Sequence, residues 1–351
     1  MEIRKLNTLR GIAALIVVFS HYSNDTGFLR GVLGSGAGQL GVMLFFILSG
    51  FLMSYLYLNR PFGRHHVYQY AVARAARVMP LFLIVVLSSY FLHISGNDGI
   101  LYEIDNKEDL ISHIALLSGT SVLWTIPAEV HFYLVFVFLW WFWSKWKSQL
   151  FILLSFLTVI LLYFDFPVFQ GRILGVRYDT AVIPSLPYFF IGVVLGELYV
   201  KGKIPTGLVS RWYVASLLLL PLLYPRIHYY LTGNTHEMWG AFEILFPLSF
   251  MFFLIAFLVP DDNWVLSNRI GDFLGKISYS LYLLHLPVLW QIQNDATRNP
   301  TLVLPIYLLL VIAVSYISYL LVECPARRAI RSFATKNPMS RLARLFSVGD
   351  A

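Results

Sequence analysis

The sequence predicts an all-α, polytopic integral membrane protein with about ten transmembrane helices and both termini in the cytoplasm. Of its 351 residues, 58% are hydrophobic and only 13% are charged, and the mean hydropathy is +0.68. Soluble globular chains carry about 25% charged residues. Aromatic residues reach 17% of this chain, and Trp and Tyr are typical of the two membrane–water interfaces. This composition excludes an ordinary soluble protein.

The predicted spans are apolar runs of about 17–22 residues, the length that crosses a hydrocarbon core. They lie near residues 6–23, 39–58, 75–95, 123–143, 150–166, 181–200, 213–231, 240–259, 277–293 and 302–322. The amphipathic stretch at 110–122 is predicted to lie at the membrane interface. The first run also resembles a cleaved signal peptide, but Arg10 interrupts it and no small-residue cleavage site follows cleanly. We therefore expect a retained span.

The distribution of basic residues predicts the orientation. With the N-terminus inside, 20 of the 26 Lys and Arg residues fall in the inner segments and the other 6 in the outer ones. This bias is the main determinant of membrane orientation. The sequence thus predicts a transmembrane domain over residues 1–325 and a basic cytoplasmic tail over 326–351, lying along the anionic inner leaflet. The net charge of +7 reflects contact with membrane lipids, and we expect no nucleic acid partner.

Several kinds of site are excluded by the residues that the chain lacks. Cys324 is its one cysteine, so an intramolecular disulfide is impossible and a cysteine-based metal site is not expected. The sequence contains no P-loop, no Gly-rich dinucleotide fingerprint, no G-x-S-x-G elbow and no paired metal-ligand motif. Nucleotide hydrolysis of the soluble type is therefore not predicted.

Arg10 and His21 are ionisable residues inside the first predicted span. Such groups are costly in a bilayer and usually mark a functional interior. Eleven positions, at about 100° each, place both side chains on one helix face, about 16 Å apart along the axis. The alternative is that Arg10 snorkels to the inner headgroups and His21 lies at the outer interface. The shared face favours function, with a fixed cation at one end and a proton-transfer group at the other.

An acidic residue, Glu129, lies near the outer start of the fourth predicted span, between Trp124 and Tyr133. Tyr133 lies one turn further along on the same helix face. A carboxylate at this depth needs a partner. The helix dipole alone would also stabilise it, and a carboxylate stabilised in that way can still orient a histidine. We predict that it orients His21.

Arg74 and Arg77 share a face at the inner end of the third predicted span. A pair of guanidinium groups is well suited to phosphate oxygens. Ordinary positive-inside anchoring explains the pair equally well, so the spacing alone leaves both interpretations open.

A polar stripe follows one face of the ninth predicted span, at Ser278, Tyr282 and His285. Stripes of this kind often serve only interhelical hydrogen bonding, and for His285 the spacing slightly favours that role. At the end of the last span, Glu323 and Arg327 are predicted to form an ion pair where the helix stops.

Taken in chain order, these motifs resemble those of the membrane-bound acyltransferase-3 family over nearly the whole chain. The motifs are Leu9-Arg10-Gly11 with His21, the segment Gly41–Leu52 with Ser49, Arg74-x-x-Arg77 before Pro80, Trp124 with Glu129 and Phe132-Tyr133, Ile277–Tyr282 with His285, and Glu323-x-Pro325. Each motif alone is modest support, whereas six motifs in the same order are strong support.

The resemblance implies a function and a set of site residues. Members of the family move an acyl group, most often acetyl, from cytoplasmic acyl-CoA to a carbohydrate on the far side of the membrane. Arg10 and His21 match the family's Arg–His pair, and Arg74 and Arg77 match its inner arginine pair, which is thought to hold the CoA. The expected catalytic residues are His21, Glu129 and Arg10. The expected supporting residues are Trp124, Tyr133, Ser49, Ser278, Tyr282 and His285.

The chain departs from the family pattern in two places. Where many members have an acidic residue shortly before the first arginine, this chain reads Leu6-Asn7-Thr8. Many members also have two adjacent acids after the tryptophan, whereas Glu129 is followed here by Val130. A mechanism that needs the second acid is therefore not expected. Some members carry a further esterase-like domain; the chain ends too soon for one, so we expect it to act alone.

The expected function is an O-acyltransferase of the bacterial inner membrane that acts on a surface or lipid-linked glycan. It would use acyl-CoA, most simply acetyl-CoA, as co-substrate, with no bound cofactor and no metal. His21 would act as general base on a sugar hydroxyl. A sugar or lipid transporter or flippase is the alternative, although no two Gly/Pro-broken spans occupy matching places in two halves of the chain. A structural scaffold would explain none of the buried charges.

Overall fold

The computed structural model describes residues 3–163, 169–173, 176–202, 206–234, 239, 242–293 and 299–336. Within these residues the chain is predominantly helical, which confirms the predicted class. The helices are α1 (Arg4–Thr26), α2 (Gly38–Met53), α3 (Arg64–Ile94), α4 (Lys107–Ile114), α5 (Thr125–Lys145), α6 (Lys147–Tyr163), α7 (Val182–Lys201), α8 (Leu219–Leu222), α9 (Pro225–Thr232), α10 (Phe242–Phe253), α11 (Arg269–Gln293), α12 (Pro300–Ser318) and α13 (Cys324–Lys336).

Shorter elements complete the description. The 3₁₀ turns are Phe28–Gly31, Ser121–Trp124, Thr206–Leu208 and Arg211–Leu218, and the π turns are Ser54–Leu58, Leu254–Leu258 and Tyr319–Glu323. A small antiparallel hairpin of β1 (Phe169–Ile173) and β2 (Val176–Thr180) pairs Gly171 with Tyr178. This hairpin is the one departure from helical structure in the described part of the chain.

Five helical segments in the described residues are long and apolar enough to cross a membrane. They are Gly38–Leu58, Arg64–Ile94, Ser121–Lys145, Val182–Lys201 and Pro300–Ala334, and shorter apolar helices cover Gln149–Leu161, Arg211–Leu222 and Phe242–Leu258. The protein is therefore a multi-pass membrane protein. The first and ninth predicted spans are present as the long helices α1 and α11, which carry charged residues at their starts. The count of ten spans and the cytoplasmic termini stay predictions.

The predicted span at 213–231 is wrong as a single helix. A 3₁₀ segment and the short α8 end before Pro225, and α9 begins at that proline. A proline lacks a backbone donor and clashes with the preceding helical turn, and it forces the residue before it into an extended conformation. Tyr224 has that conformation, with φ −65° and ψ 129°.

The predicted helix stop at Pro325 is also wrong. The π turn Tyr319–Glu323 leads directly into α13, in which Pro325 is the second residue. The helix continues through Pro325, and the wider π turn just before it accommodates the missing donor and the ring of the proline. The predicted ion pair between Glu323 and Arg327 is confirmed. Ser280 Oγ of α11 also donates to Glu323 Oε1, at 2.6 Å.

The centre of the fold is α1, which packs between α2 and α11, while α2 packs on its other side against α7. Glycines allow the backbones to approach closely. A Cβ atom at Gly275 would lie 2.3 Å from the backbone oxygen of Asn7, and one at Gly41 would lie 2.4 Å from that of Ala13. Close packing of small residues is the usual way in which membrane helices associate. It brings the polar faces of α1, α2 and α11 around a common interior.

Candidate active site

A cavity of about 50 Å³ lies between α1, α2, α3, α5 and α11. It is lined by Arg10, Val42, Phe45, Phe46, Leu48, Ser49, Leu52, Arg77, Thr125, Ile126, Glu129, Ser278, Tyr279 and Tyr282. Six of the residues predicted from the sequence therefore converge from five helices. We call this space the arginine cavity, because two of its lining side chains are guanidinium groups.

Glu129 is the acidic side chain of the arginine cavity, and two hydroxyl groups hold it in place. Ser49 Oγ donates to Glu129 Oε1 at 2.9 Å, and Tyr133 Oη donates to the same oxygen at 2.6 Å. Arg10 and Arg77 line the same cavity. Hydrogen bonds and opposite charges are what a partly buried carboxylate requires. The Glu129 side chain is thus held in place in a cavity that two arginines also line.

The two predicted phosphate-binding arginines do not occupy equivalent positions. Arg77 lines the arginine cavity, whereas Arg74 is not among the residues that line it. The Arg74 guanidinium packs instead against the rings of Tyr57 and Tyr133, 5.7 and 6.0 Å from their centroids. Arginines commonly stack on aromatic faces in this way. The two arginines therefore do not line one site together. Arg74 packs against Tyr133 instead.

A second cavity, of about 230 Å³, adjoins the first. We call it the histidine cavity because His21 lines it. The other lining residues are Val17, Ser20, Asn24, Gly36, Gly38, Gln39, Val42, Ser121, Val122, Trp124 and Tyr282. Val42 and Tyr282 line both cavities, so the two spaces meet at these side chains. As the helical spacing predicts, Arg10 and His21 face the same side of α1, one toward each cavity.

His21 has a histidine as its ring neighbour. The ring of His285 lies 5.1 Å from that of His21, centroid to centroid. Glu129 lines the other cavity and is bound to Ser49 and Tyr133. The predicted pairing of Glu129 with His21 is therefore wrong in this structure. The physical reason is that Glu129 projects from α5 towards the arginines, whereas α11 brings His285 beside His21.

The surroundings of His285 define its tautomer. The side chain is fully buried, and its Nδ1 lies 2.7 Å from the backbone oxygen of Tyr282, to which it must donate a hydrogen. In the neutral ring, Nε2 then carries the lone pair. That nitrogen is buried and has no hydrogen-bond partner among the described residues. An unpartnered acceptor therefore lies in the ring that neighbours His21.

Tyr282 lies where the two cavities meet, and it is hydrogen-bonded to the turn that carries Trp124. Tyr282 Oη donates to the backbone oxygen of Val122, at 3.0 Å. This bond connects α11 to the 3₁₀ turn that carries Trp124, a residue of the histidine cavity. Ser278, in contrast, donates within its own helix to the oxygen of Gly275, at 2.9 Å.

Several lining residues were not predicted from the sequence. Tyr279 lines the arginine cavity and donates to the backbone oxygen of Val78 at 2.6 Å, next to Arg77. Asn24 and Gln39 line the histidine cavity, and Gln39 Oε1 is buried with no partner in the described part of the chain. Asn24 lies one helical turn beyond His21, so helical spacing would have predicted it as a lining residue. The position of Gln39 depends on the packing of α2, which no local pattern reveals.

Comparison with known proteins agrees with the geometry. A family model described as an acyltransferase domain matches residues 3–320. The chain is 25% identical, over 363 aligned positions, to provisionally named O-acetyltransferases of Staphylococcus aureus strains COL, MSSA476 and MRSA252. These alignments cover 92% of this chain and 57% of each relative, so the chain spans little more than half their length. No solved structure matches it. Since the family match covers nearly the whole sequence, the chain belongs to the membrane-bound acyltransferase-3 family.

Proposed function

We propose that the protein transfers an acyl group, most simply acetyl, from cytoplasmic acyl-CoA to a hydroxyl of an extracytoplasmic or lipid-linked surface glycan, in the bacterial inner membrane. The observation that carries the proposal is the pair of adjoining cavities along α1. One is lined by Arg10 and Arg77 and the other by His21, and they meet at Tyr282. A donor bearing phosphates and an acceptor bearing hydroxyls would thus meet between them.

The arginine cavity suits the donor. Acyl-CoA carries phosphates, and Arg77 presents a guanidinium group that binds phosphate oxygens with good geometry. The apolar side chains Val42, Phe45 and Leu52 line the same cavity, and they suit the thin pantetheine arm. Arg10 lines the same space, where it would help to hold the donor or neutralise its negative charge.

The histidine cavity suits the chemical step. The neutral ring of His21 would take the proton from a sugar hydroxyl as that oxygen forms a bond to the thioester carbonyl carbon. The carbon–sulfur bond then breaks, and the CoA thiolate leaves with the electron pair. The proton held on His21 passes to that thiolate, which gives CoA and the acylated sugar. General-base catalysis of this kind typically contributes about 10²–10⁴-fold.

The other polar groups would support this step. The unpartnered Nε2 of His285 would accept a hydrogen bond from the ring of His21 and fix its orientation. Glu129, held by Ser49 and Tyr133, would keep the two arginines in place when no donor is bound. This assignment replaces the expected Glu129–His21 pair and requires no second acid after Glu129.

Mass spectrometry of surface glycan tests the proposal directly. Glycan from cells with the gene, without it, and with a His21→Ala version would be compared. The proposal predicts that the deletion and the variant both lose one fixed mass increment, which names the acyl group. His66→Ala, outside both cavities, should retain the increment. Unchanged acylation with accumulated lipid-linked precursor would instead indicate a flippase and overturn the proposal.

A further inference from the structure

We propose that a cleft beside the histidine cavity binds a neutral or amino-sugar segment of the acceptor glycan, through Trp290 and Glu103. The inference rests on the proposed function, because it assigns a place and a chemistry to the acceptor of that reaction. It concerns residues that none of the sequence motifs includes.

The cleft has a volume of about 660 Å³ and lies on the His21 side of the fold. It is formed by the loop after α3, the segment before α5 and the last turns of α11, and is lined by Asp98, Gly99, Ile100, Leu101, Tyr102, Glu103, Thr120, Ser121, Trp290 and Gln291. Pockets for a single small molecule occupy about 300–1,000 Å³. The cleft lies within that range and is therefore large enough for a small saccharide.

The cleft adjoins the histidine cavity, because Ser121 lines both. Ser121 has a φ of 51°, in the left-handed region that residues other than glycine rarely adopt. The preceding peptide is held by the buried His113, whose Nε2 accepts a hydrogen bond from the Thr120 backbone at 2.9 Å. Strained backbone of this kind is concentrated at functional sites. A glycan bound in the cleft could thus extend a hydroxyl past Ser121 towards His21.

Trp290 supplies a rigid aromatic surface. Its ring packs edge-to-face on Tyr102, with centroids 5.5 Å apart and an interplanar angle of 78°. Tyr102 is itself buried and donates to the backbone oxygen of Leu283, at 2.8 Å. Because the ring is already fixed, little conformational entropy is lost when a ligand binds to it. A pyranose ring has an apolar face of C–H groups, which packs well against an aromatic face.

The polar lining indicates which sugars fit. Asp98 and Glu103 contribute carboxylates, and the described lining residues include no Lys or Arg. Carboxylates accept strong hydrogen bonds from hydroxyl and ammonium groups and repel uronic acids and sugar phosphates. Asp98 already binds the ring of His93, at 2.7 Å, which leaves the exposed Glu103 for the ligand. Neutral sugars and amino sugars are therefore favoured over acidic ones.

The test uses the full chain in lipid nanodiscs and two independent readouts. The probe is the set of oligosaccharides released from the unacylated surface polysaccharide of a strain that lacks the gene. Their binding is measured by calorimetry, and acetyl transfer to them is measured with acetyl-CoA. The variants are Trp290→Ala, Trp290→Phe and Glu103→Gln. Trp264→Ala is the matched control, because Trp264 is 76% exposed and lies outside the cleft.

We expect Trp290→Ala and Glu103→Gln each to weaken binding and raise the acceptor KM by at least about tenfold, since the first removes the aromatic contact and the second removes the charge that strengthens the hydrogen bond. The KM for acetyl-CoA and the kcat at saturating acceptor should stay within about twofold of wild type. Trp290→Phe should retain most of the affinity, and Trp264→Ala should match wild type. Glu103→Gln preserves the shape of an exposed side chain, so the test does not depend on the folding of Trp290→Ala.

The outcomes separate this inference from the proposed function. If the wild-type protein transfers acetyl and both variants have an unchanged acceptor KM, the assignment of the cleft is overturned. The proposed acyltransferase activity then still stands. If the wild-type protein binds the oligosaccharides but transfers no acetyl, and the variants lose that binding, the cleft would be supported and acyl transfer rejected. Absence of both binding and transfer in wild type would overturn both. Equal competition by an oligogalacturonate would contradict the assignment to neutral and amino sugars.

Discussion

The imidazole rings of His21 and His285 lie 5.1 Å apart, centroid to centroid, with their planes inclined at 49°. The two residues are 264 positions apart in the sequence and meet because α11 packs along α1. His285 is oriented by the backbone oxygen of Tyr282 and has an unpartnered, buried Nε2. A buried acceptor without a donor costs about 1–3 kcal/mol. Under the proposed function, we expect His285 to be a positioning residue for His21 rather than a group that reacts itself.

The first prediction concerns His285. His285→Phe removes the acceptor and should lower kcat by at least about tenfold, with the KM for acetyl-CoA unchanged. His285→Gln should recover part of the rate, because its amide reaches the position of Nε2. Steady-state kinetics of the purified variants check this. If His285→Phe and His285→Gln lower the rate and the unfolding temperature to the same extent, the role of His285 is only structural.

The second prediction separates the two arginines of the third span. Arg77→Ala should raise the KM for acetyl-CoA by about tenfold or more, since a charge-assisted contact contributes about 1.5–3 kcal/mol, and should leave the acceptor KM unchanged. Arg74→Ala should instead lower the unfolding temperature, because Arg74 packs against Tyr57 and Tyr133. Kinetics and thermal unfolding of both proteins provide the comparison. A raised KM for Arg74→Ala at unchanged stability would contradict the assignment.

The third prediction concerns the carboxylate of the arginine cavity. Glu129→Gln keeps an acceptor for Ser49 and Tyr133 but removes the negative charge beside Arg10 and Arg77, and it should lower kcat by at least about tenfold. Ser49→Ala and Tyr133→Phe should each have a smaller effect, because each leaves the carboxylate one hydroxyl donor and a single hydrogen bond contributes about 0.5–1.5 kcal/mol. The rates of the three variants are compared directly. Wild-type turnover in Glu129→Gln would show that the charge is not needed.

The fourth prediction concerns helix packing. An alanine methyl at Gly275 would lie 2.3 Å from the backbone oxygen of Asn7, so α1 and α11 would be forced apart. We expect Gly275→Ala to destabilise the fold by about 1–3 kcal/mol and to reduce activity by separating His21 from His285. Gly63→Ala is the control, because nothing lies within 4 Å of the added atom. Thermal unfolding in detergent measures both, and equal stability of the two variants would contradict the packing argument.

Local sequence patterns predicted much of the helical structure. The predicted span at 181–200 corresponds to α7 (Val182–Lys201), and the one at 123–143 to α5 (Thr125–Lys145). Apolar length determines these helices, so a hydropathy pattern finds them. The proline at position 225 could have predicted the break before it. The prediction missed that break because the apolar residues at 213–231 form one continuous run. The helical spacing of Arg10 and His21 correctly predicted that both face one interior.

Contacts between distant parts of the chain were harder to predict. Ser49 and Glu129 are 80 positions apart, and no periodicity relates them. The expected Glu129–His21 pair failed because sequence order does not show which side of α1 each neighbouring helix covers. The separation of Arg74 from Arg77 has a similar cause, since the tyrosines that hold Arg74 come from other segments of the chain. The cleft at Trp290 combines a loop, a strained turn and a helix end, and only the tertiary fold brings them together.

Acetyl transfer by the purified protein is the measurement that tests the central claim most directly. Wild-type, His21→Ala and His66→Ala proteins in nanodiscs would receive acetyl-CoA and unacylated surface glycan. We predict that wild type and His66→Ala transfer acetyl at similar rates, and that His21→Ala is slower by at least about 100-fold with both substrates still bound, because the general base is lost. Retention of most of the wild-type rate by a correctly inserted His21→Ala protein would contradict the account.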